Sequence, residues 1–322
     1  MSFAATPTMS RGRPTHTTTG PAKSSARARW GWTTLALAVV IGALWLIAGR
    51  FSPATPSTPA RSSPAETAHC IRDPRCHRTF VVAHRAEGFG GPENSRAAVA
   101  LVVEAGVPVI EIDLRSSRDG QLFVMHDGRL EHYTSLRGRV EEMSSEEIDR
   151  ARLKNGEGIP RFEDVYEITR GKAMLSVDFK VHERMMEEVA DWIHAHGSFD
   201  DLIFFANTGE EMEAAARAKQ RYPQMIVMVR LLDTRVTVES TRAVFGGRLP
   251  EILHTNRIGF AEVADLHALG TKVYMNAVPL DRYFQPFRYF ATRSLLETGL
   301  DFVLTGNPRS VMRKVAAAHP AR

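Results

Sequence analysis

From residue 80 onward the chain alternates between two hydrophobic rhythms. Runs rich in apolar and β-branched residues fall at 80–84, 107–114, 173–180, 201–207, 225–231, 251–256, 271–276 and 301–305. Segments of helical character lie between most of them, for example at 93–105, 183–197, 209–221 and 261–269. Strands alternating with helices predict parallel β/α units. Eight such units in this length predict an α/β fold of the TIM-like (β/α)8 type, with the run at 251–256 the weakest strand. An open doubly wound sheet is the alternative, but no glycine-rich dinucleotide fingerprint follows the first strand.

Upstream the pattern changes. Residues 1–29 are rich in Thr, Ser, Pro, Arg and Ala without apolar periodicity, and read as a disordered tail. Residues 30–49 contain no charge and are dominated by Leu, Ala, Val and Ile, with Trp30, Trp32 and Trp45 towards the two ends. Twenty residues suffice to cross a bilayer as a helix, and indole rings favour its interfaces. The basic flank predicts a cytoplasmic tail and an exported body, so that the barrel is preceded by a single N-terminal transmembrane helix. An uncleaved signal anchor is favoured over a cleaved signal peptide, because the run is long and Arg50 follows it at once. Residues 50–78 read as a Pro/Ser/Thr-rich linker, with the two cysteines in it, holding a folded body, 79–322, off the membrane.

Charge supports this division. The whole chain carries +4. Seven basic residues, Arg11 to Arg61, precede the first acid, Glu66; taking them from the 41 leaves 34 basic against 37 acidic residues, a net of about −3. The basic balance belongs to membrane topology rather than to nucleic-acid binding. The two cysteines, Cys70 and Cys76, stand at the entry to the body and predict a disulfide in an oxidising compartment. His69 and His77 flank them at a spacing that fits no standard structural zinc pattern.

In a (β/α)8 barrel the chemistry sits at the C-terminal strand ends. The first strand ends in His84-Arg85, the second carries Glu111 and Asp113, and the third carries Asp178 and Lys180. Residues two apart on a strand share a face, so each pair faces one pocket. Three carboxylates and a lysine there suit a hard divalent cation, Ca²⁺ or Mg²⁺, better than a packed core. His126-Asp127 follows a short extended stretch, and two histidines at such positions suit proton transfer near neutral pH. The segment 87–91, with three glycines, reads as a flexible rim or a plain loop.

These residues, in order, resemble the signature blocks of the glycerophosphodiester phosphodiesterase family: His84-Arg85, Pro92-Glu93-Asn94-Ser95, Glu111-x-Asp113, Asp119-Gly120 and His126-Asp127, with Asp178-x-Lys180 and Thr305-Gly306-Asn307-Pro308 beyond. The resemblance covers about residues 79–315 and is most specific in the N-terminal half. It implies a TIM barrel with one Ca²⁺ or Mg²⁺ held by Glu111, Asp113 and Asp178. It implies His84 and His126 as the general acid/base pair, Arg85 and Lys180 as phosphate-binding groups, and Glu93, Asn94 and Asp127 in support. Four positions depart from the family pattern. Ala86 replaces a glycine, Asp178 a glutamate and Gly306 an aspartate, and Tyr274 stands for the aromatic expected on the seventh barrel strand. The implied activity is metal-dependent hydrolysis of a glycerophosphodiester to a glycerol phosphate and an alcohol; the anchor read from residues 30–49 puts it at the cell (inner) membrane with its domain periplasmic. Its substrate is a small-molecule or lipid-derived phosphodiester. Phospholipase D-like action on lysophospholipid or sphingolipid, a lyase or transferase using the same site, and a catalytically weak phosphodiester-binding protein are the rivals.

Overall fold

The structure, a computed structural model, describes residues 61–180, 184–232, 235–256, 260–284 and 286–318. The expected tail at 1–29 and transmembrane helix at 30–49 lie outside the described residues. Among the described residues no helix is long and apolar enough to cross a membrane.

Nine strands form one sheet: β1 (Phe80–Ala83), β2 (Val109–Ser116), β3 (Leu122–Val124), β4 (Met174–Phe179), β5 (Leu202–Ala206), β6 (Ile226–Arg230), β7 (Ile252–His254), β8 (Lys272–Asn276) and β9 (Phe302–Thr305). Eight run parallel, and β1 pairs with both β2 and β9, so the sheet closes into a barrel. All eight expected runs are strands of it. The β2–β4 connection is an insertion in which β3 lies antiparallel to β2 over a small core of its own, including Phe123, Leu130, Val140 and Ile148. Helices α1 (Pro64–Arg72), α2 (Arg96–Glu104), α3 (Phe162–Thr169), α4 (Arg184–His196), α5 (Gly209–Arg221), α6 (Val238–Val244), α7 (Phe260–Ala268), α8 (Phe287–Glu297) and α9 (Pro308–Ala318) account for most of the rest.

Alternation along each strand divides the core in two. One parity (Val81, Ile110, Ile112, Val177, Phe204, Val227, Val303) packs against the helices. The other (Phe80, Val82, Val109, Met174, Ile203, Ile226, Met228, Ile252, Tyr274, Phe302) fills the barrel interior. Continued to the C-terminal strand ends, this inward parity reaches His84, Asp113, Asp178, Asn207, Arg230, His254 and Asn276. The fold therefore delivers these side chains to one mouth.

The expected linker ends earlier than the sequence reading placed it. From Ser63 the chain is helical: the Ser63 hydroxyl accepts the Glu66 N–H and the Glu66 carboxylate accepts the Ser63 N–H, a reciprocal cap that starts α1. Ala68, Cys70 and Ile71 of α1 join the interior cluster with Phe80 and Val109. The helix stoppers and small residues of this stretch disguised a segment whose order comes from burial against the barrel. A Cys70–Cys76 disulfide, Cα atoms 5.3 Å apart, follows. The buried Lys272 ammonium at the foot of β8 donates to the carbonyls of Asp73 and Cys76. At the same N-terminal end, His267 bonds Asp301 at 2.7 Å and its ring lies 5.0 Å from that of His77.

Candidate active site

The carboxylates of Glu111, Asp113 and Asp178 meet at the mouth because β2 and β4 are in parallel register, with Asp113 opposite Asp178 and Glu111 one inward position deeper. Ligand oxygens of all three lie within 4.8 Å of one another, and the three residues are 4%, 1% and 8% exposed. Two cations share the space. The Lys180 ammonium is 3.0 Å from Asp113 Oδ1 and 2.5 Å from Asp178 Oδ2, and Arg85 Nε is 3.3 Å from Asp113 Oδ2. The Asn94 amide donates to Asp113 Oδ2 at 2.9 Å, and the Asn207 amide to Asp178 Oδ1 at 2.7 Å.

Three buried carboxylates against two cations leave a deficit of one positive charge. Burial, then repulsion from Asp113 and Asp178, pushes the Glu111 carboxyl well above the usual range. Asp178 also rises, chiefly through burial, which the Lys180 ammonium only partly offsets. Burial acts on Asp113 too, but the Lys180 and Arg85 cations and the Asn94 amide outweigh it and hold that carboxyl below its ordinary value. Asn94 Oδ1 is buried with no hydrogen-bond partner. An orphaned amide oxygen beside three crowded carboxylates is an all-oxygen donor set, which suits a hard divalent cation. The residues therefore fit the metal that the sequence led us to expect.

The loop after β1 is shaped around this cluster. Arg85, Ala86 and Asn94 all have positive φ (48°, 57° and 58°), a left-handed conformation costly for non-glycine residues. It turns the Arg85 N–H onto Glu111 Oε2 at 2.9 Å and the Arg85 carbonyl onto the Asn94 N–H at 2.8 Å. The guanidinium meanwhile reaches Glu93 at 3.2 Å. At Ala86 the buried methyl is held in a conformation glycine would adopt without strain.

Both histidines are oriented by carboxylates. His84 Nδ1 lies 3.1 Å from Glu87 Oε2, and His126 Nδ1 lies 2.7 Å from Asp127 Oδ1. Such partners favour a proton on Nδ1 and leave Nε2 free for chemistry. β3 brings His126 to this level: the Met125 N–H bonds the Asp113 carbonyl at 2.9 Å, and Arg115 Nε holds the His126 carbonyl at 2.8 Å.

Tyr274 stands on β8, the seventh parallel strand, below the mouth. It is fully buried inside the barrel, its ring 5.9 Å from Phe302 and 5.2 Å from His254. Burial and the charge of Glu111 push its phenol well up. The residue that shares its face at the strand's end is Asn276, whose side-chain oxygen accepts the Val278 N–H at 2.9 Å. Of the two readings of the glycine-containing segment 87–91, a flexible rim and a plain loop, its contacts favour the loop. A Cβ on Gly88, at φ +99°, would stand 2.5 Å from Pro308 Cδ, and Arg309 stacks on the Phe89 ring. Gly306 has its own reason: a Cβ there would stand 2.9 Å from Glu87 Oε2, so its absence makes room for the carboxylate that orients His84. Asp281 caps this turn, accepting from the Gly306 N–H and the Thr305 hydroxyl at 2.8 and 2.7 Å.

Sequence reading missed Glu87, His132 (Nδ1 2.6 Å from Asp127), Asn207, Arg230 and His254. The last three were accessible to the same parity rule that found Glu111 and Asp178, extended to every strand end. Arg230 forms no ion pair among the described residues, and His254 is buried, its ring 5.3 Å from Phe205 and 5.2 Å from Tyr274. Burial, with Arg230 nearby, depresses His254 to about 3, so it is neutral at physiological pH.

A barrel mouth with an all-oxygen cation site, an arginine and a lysine beside it, and two carboxylate-oriented imidazoles belongs to the class of phosphate-ester-handling (β/α)8 proteins. The comparisons agree. The model of the Glycerophosphoryl diester phosphodiesterase family matches residues 84–308, and the chain belongs to that family. Among curated relatives, a glycerophosphodiester phosphodiesterase of Caldanaerobacter subterraneus is 35% identical over 105 residues, covering 30% of this chain and 43% of that one. YhdW of Bacillus subtilis is 28% identical over 156 residues, 45% of this chain and 63% of that one. The chain thus spans between two fifths and two thirds of these relatives. Among solved structures, a glycerophosphoryl diester phosphodiesterase of Parabacteroides distasonis aligns with a TM-score of 0.67 at 22% identity, over 81% of this chain and 94% of that one. An Oleispira antarctica phosphodiesterase in complex with its product sn-glycerol-3-phosphate aligns with a TM-score of 0.60 at 21% identity, over 74% and 97%. At these identities the likeness shows the shared fold.

Proposed function

We propose that the protein hydrolyses glycerophosphodiesters to a glycerol phosphate and an alcohol, with one Ca²⁺ or Mg²⁺ bound by Glu111, Asp113 and Asp178. The observation that carries this reading is the convergence, at one mouth, of those carboxylates with Arg85, Lys180 and the two carboxylate-paired histidines. The bound cation supplies Lewis-acid stabilisation of the phosphoryl oxygens. Arg85, with its planar fork, and Lys180, as a point charge, hold the diester anion and oppose the charge that grows on its oxygens in the transition state. One imidazole takes the proton of the attacking oxygen, from water directly or from the substrate's neighbouring hydroxyl, in which case the cyclic phosphodiester formed is opened by water in a second round to give the glycerol phosphate. The other protonates the leaving alcohol as its P–O bond breaks. Glu87 and Asp127 fix the tautomers and steady the imidazolium that forms. Membership of the family and the product complex of the Oleispira antarctica structure support the substrate class.

The same reading places the domain outside the cytoplasm on a single-pass anchor, with 30–49 in the inner membrane and 1–29 on the cytoplasmic side. The charge-free run, its basic flank and the disulfide support it. Lipid-derived head groups and lysophospholipids are then the accessible diesters.

Turnover by the full-length protein tests the proposal. Glycerophosphocholine, glycerophosphoethanolamine and a lysophospholipid are supplied with Ca²⁺, Mg²⁺ or EDTA. Metal-dependent release of glycerol phosphate is expected, falling by roughly 10²–10⁴-fold in His84→Ala and in His126→Ala. Release of free head group from the lysophospholipid alone would reassign the protein as phospholipase D-like. Metal binding with no turnover of any diester would overturn the hydrolytic reading.

A further inference from the structure

The β8–β9 connection carries an apolar surface that no described residue covers. Tyr283, Phe284, Phe287 and Phe290 are 53%, 72%, 61% and 61% exposed. On α8 the core side is taken by Thr292, Leu295 and Leu296, so Phe287 and Phe290, three apart, share the outward face. Soluble monomers seldom leave so many large rings together in water. The charge of the stretch has one sign: from 282 to 296 the sequence contains three arginines and no acid. Arg293 pairs with Glu297 at 2.9 Å and the half-buried Arg288 donates to the Asp281 carbonyl at 3.3 Å, whereas the exposed Arg282 has no carboxylate partner among the described residues. Rings interleaved with cations match the boundary between acyl chains and anionic headgroups.

The surface is rooted at the catalytic mouth. Asp281, the residue before Arg282, caps the Thr305-Gly306 turn, and Gly306 lies against Glu87, the partner of His84.

We propose that residues 282–284 and 286–293 dock on an anionic lipid bilayer and lay the mouth against its surface, where lipid-derived phosphodiesters reside. Two observations favour a bilayer over a second copy of the chain. The exposed, unpaired Arg282 would repel its like across a symmetric contact but complement anionic headgroups. The chain also holds the charge-free run 30–49, and only eleven residues separate it from Arg61. Even fully extended, these reach about 40 Å, so a bilayer holding that run keeps the domain close. The inference rests on the anchored-phosphodiesterase reading for the presence of the lipid and for what docking achieves.

The test uses the full-length protein in vesicles of phosphatidylcholine with phosphatidylglycerol. A single environment-sensitive fluorophore is placed on Phe287→Cys, with Phe290→Cys as a second position and the exposed helical site Glu213→Cys as control. The native cysteines are tied in their disulfide and do not compete. Probes at 287 and 290 are expected to shift to the blue and to be quenched by spin-labelled acyl chains severalfold more than the probe at 213. Arg282→Glu, or vesicles of phosphatidylcholine alone, should weaken that contact by about fivefold or more, the usual effect of one cation near an anionic surface. Equal quenching at 287 and 213 would overturn the proposal. So would a blue shift that appears without lipid and grows with protein concentration, which would make the surface a self-association face. Hydrolysis of glycerophosphocholine in the same samples separates the two readings. Turnover with an unburied probe at 287 sinks docking alone, whereas a buried probe without turnover of any diester leaves docking standing and removes the hydrolytic assignment.

Discussion

Replacing Glu111 by glutamine should raise the stability of the metal-free protein and abolish its response to metal. Glutamine keeps the shape and can still accept the Arg85 N–H now bonded at 2.9 Å. It removes a group that must either ionise beside two carboxylates, with oxygens within 4.8 Å, or take up a proton to avoid doing so. At an effective dielectric near 20, each like-charge pair at that distance costs about 3 kcal/mol. Attraction to Lys180 and Arg85 offsets part of this, leaving a net gain on the order of 1–3 kcal/mol, or roughly 2–10 °C for a domain of this size. The sign follows from the raised Glu111 carboxyl. Its folded-state value lies above the unfolded one, so the native state holds a proton that the unfolded state has lost. That penalty is absent in acid and grows as pH rises from the ordinary carboxylate range through the folded value. The glutamine variant should therefore gain most at the alkaline end. With cation at about a hundred times its dissociation constant, the wild type should gain about 2.7 kcal/mol, whereas the variant gains far less. Thermal unfolding of both proteins between pH 5 and 8, in EDTA and in Ca²⁺ or Mg²⁺, reads both effects. A variant less stable than wild type in EDTA, with an undiminished rise on adding metal, would refute the charge-crowding argument and the ligand assignment together.

Two further outcomes follow from groups away from the cation site. His254 is neutral in the fold, with its value depressed to about 3. Its contribution is intact above the unfolded value near 6.5 and is lost as pH falls towards 3, about 3 kcal/mol by pH 4. His254→Gln should flatten that acid limb in urea titrations, and an unchanged slope would show that His254 is solvated as the protein acidifies. Replacing Cys70 and Cys76 by serine removes a short closed loop worth about 2 kcal/mol and loosens the carbonyls that receive the buried Lys272 ammonium. A fall in Tm of roughly 4–8 °C is expected, and a shift below a degree would count against a structural role for the bridge.

The eight barrel strands were legible in the sequence because both their faces are buried, one by helices and one by the interior, so each appears as a short, nearly unbroken apolar run. The carboxylate cluster was legible for a related reason. Strand alternation puts residues two apart on one face, and charged pairs such as Glu111 with Asp113, or Asp178 with Lys180, stand out within apolar runs. What lay hidden depends on contacts between segments distant in sequence. α1 owes its order to the barrel beneath it, which a stretch rich in Pro, Ser and Ala does not announce. Tyr274 and Asn276 occupy the same face of β8, and only the depth of the strand in the closed barrel decides that the tyrosine is interior and the asparagine at the mouth. Glu87 becomes the partner of His84 because Gly306, more than two hundred residues away, leaves space for its carboxylate. The chain's local pattern thus fixes which residues face inward. Their height along the barrel, their partners and the resulting charge balance come from strand register and closure, which bring into contact groups that no local pattern relates.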